Sequence, residues 1–264
     1  MSNLNYQSKP PRIGVSILTL FWIVFPFNLR DSYAPALHRF TRINKLGLQL
    51  LPFWWLTEED LGLMRALETP VISYEDRWNS RESFRQILVR GCCFWKPSWD
   101  SAALLGFFLF GTRKQSEKRM GWFREYFPDA YAIDVPVHQK YLMETSETNQ
   151  IAINNHLADD GKICFDTWHF FQSLLPKTPL EKKFNQISMF LQKNGVCIEM
   201  IHVQTRNSLE LWDFIHSRTT RLQSILLMLK PLVEKNNIPI IIELKPCSSA
   251  MLLATKNAIE DIFS

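Results

Sequence analysis

The chain has 264 residues, of which 46% are hydrophobic and 21% charged, and its net charge is +4. These values are typical of a globular protein with one or two cores, and the charge excess is too small to predict nucleic-acid binding. The five cysteines, two of them adjacent at Cys92 and Cys93, have neither the count nor the spacing of a disulfide framework or a zinc site. We therefore expect a cytoplasmic protein.

The first apolar segment is residues 13–27 (IGVSILTLFWIVFPF), which follow a polar stretch, residues 1–11, expected to be disordered. Its length is short of the roughly 20 residues that a helix needs to cross a bilayer. We favour buried strand or helix, with membrane attachment and then a cleaved signal sequence as alternatives. Further along, Thr57 and the three acidic residues after it predict a helix start within an aromatic-rich region, residues 12–78.

The middle of the chain combines one helix signal with several strand signals. Residues 81–90 predict a helix that ends at Gly91. Strands are predicted at residues 92–95, 102–110, 122–127 and 132–138. The basic residues 111–120 are interpreted as a solvated hairpin tip, with a docking loop as the less favoured alternative. A helix followed by an antiparallel meander that packs on helices is the expected architecture, an α+β fold.

The C-terminal residues 195–264 have a different pattern, in which strands and helices alternate. Thr178 and Pro179 predict the start of the preceding helix, and Gly195 its end. The elements that follow are a strand at 196–204, a helix at 208–236 kinked at Pro231, a strand at 238–244 and a helix at 248–263. The apolar second strand predicts a buried parallel pair with a right-handed crossover, an appended βαβα element. The predicted units are residues 1–11, 12–78, 79–194 and 195–264.

A cysteine follows a tight turn within residues 154–166 (NNHLADDGKICFD). Gly161 permits the reversal after two aspartates, so that Cys164 would stand on a rigid support near the surface. A lone cysteine between Ile163 and Phe165 is more often a small buried hydrophobe, and the nucleophile interpretation therefore depends on its neighbours.

Those neighbours, together with upstream segments, resemble the ubiquitin-conjugating enzymes. In that family a His-Pro-Asn tripeptide precedes Gly-x-Ile-Cys-Leu-Asp, whose cysteine carries the modifier as a thioester. The matching segments are 121–131 (GWFREYFPDAY), 134–138 (DVPVH), 154–156 (NNH), 161–166 (GKICFD), Trp168 and a helix near Pro179. The resemblance covers residues 80–194 and implies the family's antiparallel meander with flanking helices. The chain departs from the family in lacking the proline and in having His156 at the asparagine position.

The resemblance implies an acyl-transfer enzyme that needs no cofactor and no metal. Cys164 would receive a ubiquitin-like modifier from an adenylating enzyme and pass it to an amine of a protein target. His156 would stabilise the oxyanion or orient the acceptor, and Asp166 would take the proton of the acceptor amine. The expected site residues are Cys164, His156, Asn154 and Asp166 for catalysis and Asn155, Asp160 and Trp168 for binding. By resemblance alone, the leading pathway is bacterial modifier conjugation in phage defence.

Two other functions fit the sequence. An inactive relative of the same fold would serve as a binding or assembly subunit, with a membrane contact through residues 13–27. Glu243 and Lys245, after an apolar strand, also fit the Glu-x-Lys strand of metal-dependent nucleases, which need a second acidic residue on a neighbouring strand. The six histidines have no metal-ligand spacing, so no metal is expected, and nucleic acid is not an expected partner.

Overall fold

The fold is known from a computed structural model, which describes residues 12–24, 33–51, 57–78, 112–136, 163–173, 178–205, 207–217, 220–244 and 248–264. Seven strands of this part form one sheet in the order β4-β3-β2-β1-β7-β6-β5. They are β1 Ile13–Ser16, β2 Gly47–Leu50, β3 Val71–Trp78, β4 Tyr131–Pro136, β5 Ile163–Asp166, β6 Ile198–Val203 and β7 Ile240–Ile242. All six neighbouring pairs are parallel.

Helices connect the strands. They are α1 Ile17–Val24, α2 Tyr33–Ile43, α3 Glu58–Ala66, α4 Arg113–Tyr126, α5 Thr167–Ser173, α6 Leu180–Asn194, α7 Ser208–His216, α8 Arg221–Asn236 and α9 Ser249–Phe263, with a short 3₁₀ turn at Gly195–Cys197. Except between β4 and β5, whose connection lies outside the described residues, at least one helix follows each strand, which is the α/β arrangement. The expected α+β fold, an antiparallel meander of the ubiquitin-conjugating type with an appended βαβα element, is wrong.

The order of the strands is that of a parallel barrel. Strands β2, β3 and β4 each lie on the same side of the strand that precedes them in sequence. Strands β6 and β7 lie on that same side of their predecessors, and β1 lies on that side of β7. Crossovers between parallel strands are right-handed, so connections that step the same way place their helices on the same face of the sheet. The opposite face is then the inside of a curled sheet, as in parallel α/β barrels.

A contact across the sheet shows that it is strongly curled. Strands β2 and β6 are separated by β1 and β7, which in a flat sheet would place them about 14 Å apart at 4.8 Å per strand. Yet Nε2 of Gln49 on β2 lies 2.8 Å from Nε2 of His202 on β6. The glutamine and histidine side chains would stand upright on a flat sheet and would not meet across this distance, so the face that carries both residues is concave.

The two faces of the sheet have different compositions. The outer face packs against the helices and is apolar, with Ile13, Val15, Leu48, Leu50, Ile163, Phe165, Ile201, Val203, Ile240 and Ile242 in the main core. The inner face carries a small apolar cluster, Cys164, Met200 and Ile241, with Ile72 packed against it. Polar inner residues follow this cluster toward the carboxyl ends of the strands. The concave face therefore has an apolar layer and, nearer the carboxyl ends of the strands, a layer of polar side chains that we call the polar mouth.

Gly47 on the inner face leaves room for Ile72. A Cβ atom added at Gly47 would lie 2.5, 2.7 and 2.8 Å from Cδ1, Cγ2 and Cγ1 of the half-buried Ile72, and a β-branched side chain has little freedom to rotate away. We expect Gly47→Ala to lower the free energy of unfolding by about 1–3 kcal/mol. Gly121→Ala on α4 is the control, because nothing lies within 4 Å of its added Cβ and a helical alanine gains about 0.5–1 kcal/mol. Equal denaturant midpoints for the two variants would contradict this packing.

Several helix ends are confirmed. Thr57 caps α3, its side chain accepting from the Asp60 N–H while Asp60 accepts from the Thr57 N–H. Pro179 directly precedes α6, and Gly195 is its C-cap. The last helix begins after a cap at Ser248. These signals are local, so they hold in either fold.

Other predicted elements are wrong or lie outside the described residues. Residues 113–126 form helix α4, in place of the predicted basic loop at 111–120 and strand at 122–127. Residues 131–136 are a strand, as expected, but it pairs parallel with β3. The predicted helix 208–236 is two helices, α7 and α8, with a break before Arg221, and Pro231 lies inside α8. Outside the described residues lie the predicted elements at 81–90, 92–95 and 102–110 and the predicted disorder at 1–11.

The C-terminal strands belong to the same sheet as the N-terminal ones. Strands β6 and β7 are a parallel pair, as predicted, but β7 also pairs with β1. The apolar segment at residues 13–27 contributes β1, which is buried, and α1. In the described part of the chain, no helix has the length and apolar character that would let it cross a bilayer.

Candidate functional site

Three side chains converge at the carboxyl ends of neighbouring strands. Asp166 is the last residue of β5, His202 lies near the end of β6, and Glu243 directly follows β7. One potential ligand atom from each lies within 4.8 Å of the other two. Asp166 and His202 are fully buried, and the Glu243 side chain is 14% exposed. The cluster therefore lies in the polar mouth of the concave face.

The backbone holds Asp166 in place. The Trp168 N–H donates to Asp166 Oδ1 at 2.8 Å, which joins the carboxylate to the first turn of α5. Thr167 ties the end of β5 to the chain after β6, because its hydroxyl donates to the Gln204 carbonyl and accepts from the Gln204 N–H, both at 3.0 Å. The position of the carboxylate is thus set by two strands and a helix start.

His202 contacts polar groups through both ring nitrogens. Its Nδ1 lies 3.0 Å from Glu243 Oε2, and its Nε2 lies 2.8 Å from Gln49 Nε2. The Gln49 amide also donates to Met200 Sδ at 3.3 Å. The ring is therefore fixed from both sides, with the carboxylate on one edge and the amide on the other.

Further polar residues line the inner face. Ser16 is in register with Gln49, and Gln49 with Ser73, and all three are fully buried. Glu75 also faces inward, because its neighbours Tyr74 and Asp76 contact helix α4 on the outer face. The mouth thus combines carboxylates, an imidazole, an amide and hydroxyls, which can bind a cation or a polar substrate.

Burial opposes the charged form of His202, but the Cys164 sulfur and the Glu243 carboxylate outweigh it and raise the pKa of His202 well above 6.5. A raised folded-state pKa stabilises the fold fully below the unfolded value and loses that contribution as pH rises through the folded value. We expect the chelated, metal-free chain to lose stability as pH rises above 6.5. Glu243→Gln should make this loss smaller, measured by denaturant unfolding at several pH values. An identical pH dependence in both proteins would contradict the assignment.

The three residues fit a divalent metal ion. Carboxylate oxygens and imidazole nitrogens together suit Zn²⁺ and Mn²⁺. Adjacent ligands on an octahedral ion with bonds of about 2.1 Å lie about 3.0 Å apart, which is the separation of His202 Nδ1 and Glu243 Oε2. The Asp166 and Glu243 carboxylates each place an oxygen within 4.8 Å of the other, so in this buried site they repel each other, and a cation would offset that repulsion.

Of the site residues predicted from the motif, some lie at or near the cluster and others lie outside the described residues. Asp166 is in the cluster, and Trp168 lies on α5 with its ring against the Arg221 guanidinium, 4.7 Å from the ring centroid. Cys164 lies on buried β5 and is 5% exposed. The predicted Asn154, Asn155, His156 and Asp160 lie outside the described residues. The thioester function and the inactive-subunit alternative therefore stay predictions, as do their partners, and they have lost the fold on which they were based.

Sequence reasoning missed His202, Gln49 and Glu75. It did single out Glu243, as part of a Glu-x-Lys strand, and it noted that such a site needs an acid on a neighbouring strand. The available signal was a polar residue at the end of each apolar strand, which in parallel sheets marks the substrate edge. No protein-family model matches the sequence, and no curated protein does.

Proposed function

We propose that this chain is a divalent-metal-dependent enzyme in which Asp166, His202 and Glu243 hold Mn²⁺ or Zn²⁺. The observation that carries the proposal is their convergence within 4.8 Å at the carboxyl ends of three neighbouring parallel strands. Catalytic groups of parallel α/β barrels lie at this edge. Buried charged side chains away from water are costly for stability, and a cluster of this kind is more typical of a functional site than of a core.

The metal would supply Lewis-acid catalysis, polarising a substrate oxygen or lowering the pKa of a water molecule. Three protein ligands leave coordination positions for substrate. Glu75 on β3 faces the same concave space from another strand, as a group able to accept or donate a proton. The hydroxyls of Ser16 and Ser73 can hydrogen-bond a polar substrate there. Metal-assisted reaction at an oxygen-bearing carbon or phosphorus is the reaction class that these groups suit.

The experiment is equilibrium dialysis of the chelator-stripped full chain against Mn²⁺, Zn²⁺ and Mg²⁺. We expect one ion per chain, tighter binding of Mn²⁺ or Zn²⁺ than of Mg²⁺, and a higher melting temperature with the ion, because a ligand that binds only the folded state stabilises it. Glu243→Gln should lose this binding. Glu117 is an exposed residue on α4, and Glu117→Gln should keep it. Absence of saturable binding, or unchanged binding by Glu243→Gln, would overturn the proposal. Any turnover should stop on chelation and return with the ion.

A further inference from the structure

Gln49 is an unusual residue for its position. It lies on β2, on the inner face of the sheet, and is fully buried. Its amide nitrogen reaches His202 and Met200, both on β6. Among the described residues, no donor lies within hydrogen-bond reach of its side-chain oxygen, Oε1. A buried amide oxygen without a partner destabilises the fold, so this acceptor needs an explanation.

The position of the His202 ring offers an explanation for the unpartnered oxygen of Gln49. Its Nδ1 edge faces Glu243, within the proposed metal cluster, and its Nε2 edge faces Gln49. An imidazole that binds a metal through one nitrogen carries its proton on the other, and that N–H nearly always donates to an oxygen acceptor. With Nδ1 on the metal, the Nε2–H of His202 would point at the Gln49 amide.

We propose that Gln49 is a positioning residue, whose side-chain oxygen accepts a hydrogen bond from the Nε2–H of His202 when Nδ1 binds the metal. A half-turn about the Gln49 Cγ–Cδ bond exchanges the amide oxygen and nitrogen and places Oε1 at the 2.8 Å position opposite Nε2. The amide then holds the imidazole in one tautomer and one orientation. This inference rests on the proposed function, since it assigns a role toward the same metal site.

The test compares two substitutions at Gln49 in the full chain. Gln49→Leu removes the acceptor at similar volume, and Gln49→Glu keeps an oxygen acceptor. Loss of such a partner typically lowers metal affinity by about 10- to 100-fold. We expect that loss for Gln49→Leu in calorimetric titration with Zn²⁺, and equal or tighter binding for Gln49→Glu. Met200→Leu is the matched control, because it changes the other neighbour of the same amide at similar volume and should bind Zn²⁺ as the unmodified chain does.

A second readout separates positioning from packing. Long-range ¹H–¹⁵N NMR of the zinc-loaded chain reports which nitrogen of His202 carries the proton. The Nε2–H tautomer is expected in the unmodified chain and in Gln49→Glu, and a tautomer mixture in Gln49→Leu. Unchanged affinity and tautomer in Gln49→Leu, or an equal loss of affinity in Gln49→Glu, would overturn the inference while leaving the metal site intact. If the unmodified chain takes up no ion, the proposed function fails first, and the role of Gln49 as a positioning residue fails with it.

Discussion

Asp166→Asn should weaken Mn²⁺ and Zn²⁺ binding by about 100-fold or more, which corresponds to about 2.8 kcal/mol at 1.4 kcal/mol per tenfold change. The substitution removes one of the two carboxylate charges of the cluster, and the affinity of oxygen-rich sites depends strongly on ligand charge. Asparagine keeps an oxygen that can accept from the Trp168 N–H. The metal-free variant should therefore unfold within about 1 kcal/mol of the unmodified chain. Calorimetric titration and chelated denaturant unfolding give the two values.

The matched control is Asp213→Asn on α7, an aspartate that is exposed. It changes the net charge of the chain by the same amount without touching the cluster. Metal affinity should stay unchanged in Asp213→Asn. Equal affinities for the Asp166→Asn variant and the unmodified chain would show that Asp166 is not a ligand.

Asp76→Ala should lower the free energy of unfolding by about 3–5 kcal/mol, the usual cost of removing one partner from a buried ion pair. Asp76 is fully buried on the outer face of β3. Arg119 on α4 donates to both of its carboxylate oxygens, at 2.8 and 2.6 Å, and the Tyr74 hydroxyl donates to one of them at 2.9 Å. The alanine would leave a largely buried guanidinium and a buried hydroxyl without this acceptor. In a chain of this size we expect a fall in melting temperature of roughly 10 °C.

The same helix offers an exposed pair as the control. Arg113 and Glu117 form an ion pair with side chains 70% and 57% exposed, and such pairs contribute about 0–1 kcal/mol. Glu117→Ala should therefore shift the melting temperature little. If Asp76→Ala and Glu117→Ala unfolded at the same temperature, the Asp76 network would have no special part in joining α4 to the sheet.

Local signals predicted local structure correctly. The sequence correctly predicted elements that depend on a few neighbouring residues. These are the Thr57 cap, the start of α6 at Pro179 and its end at Gly195, and the apolar strand at residues 240–242. Helix α4 was misread, although Thr112 and Gln115 form a capping box at its start. Its aromatic residues favoured a strand, but Met120, Phe123 and Phe127 are buried at helical spacing.

The order of the strands and the assembly of the site could not be predicted from local signals. The described parts of the segments that resembled a conjugating enzyme are the end of helix α4, the turn at residues 128–130, and strands β4 and β5. Many folds share such pieces, and strand order does not follow from them. The motif around Cys164 is buried strand β5 of a parallel sheet. The candidate site was missed because Asp166, His202 and Glu243 come from three strands, so linear spacing between histidines carries no information about it.

The most direct test of the metal site is an anomalous difference map from crystals of the full chain grown with Mn²⁺ and measured above the manganese absorption edge. We predict one strong peak between Asp166, His202 and Glu243, with bonds of about 2.1–2.2 Å from His202 Nδ1 and from both carboxylates. A map with no peak there, or with a peak held only by residues elsewhere on the chain, would contradict the metal-dependent function.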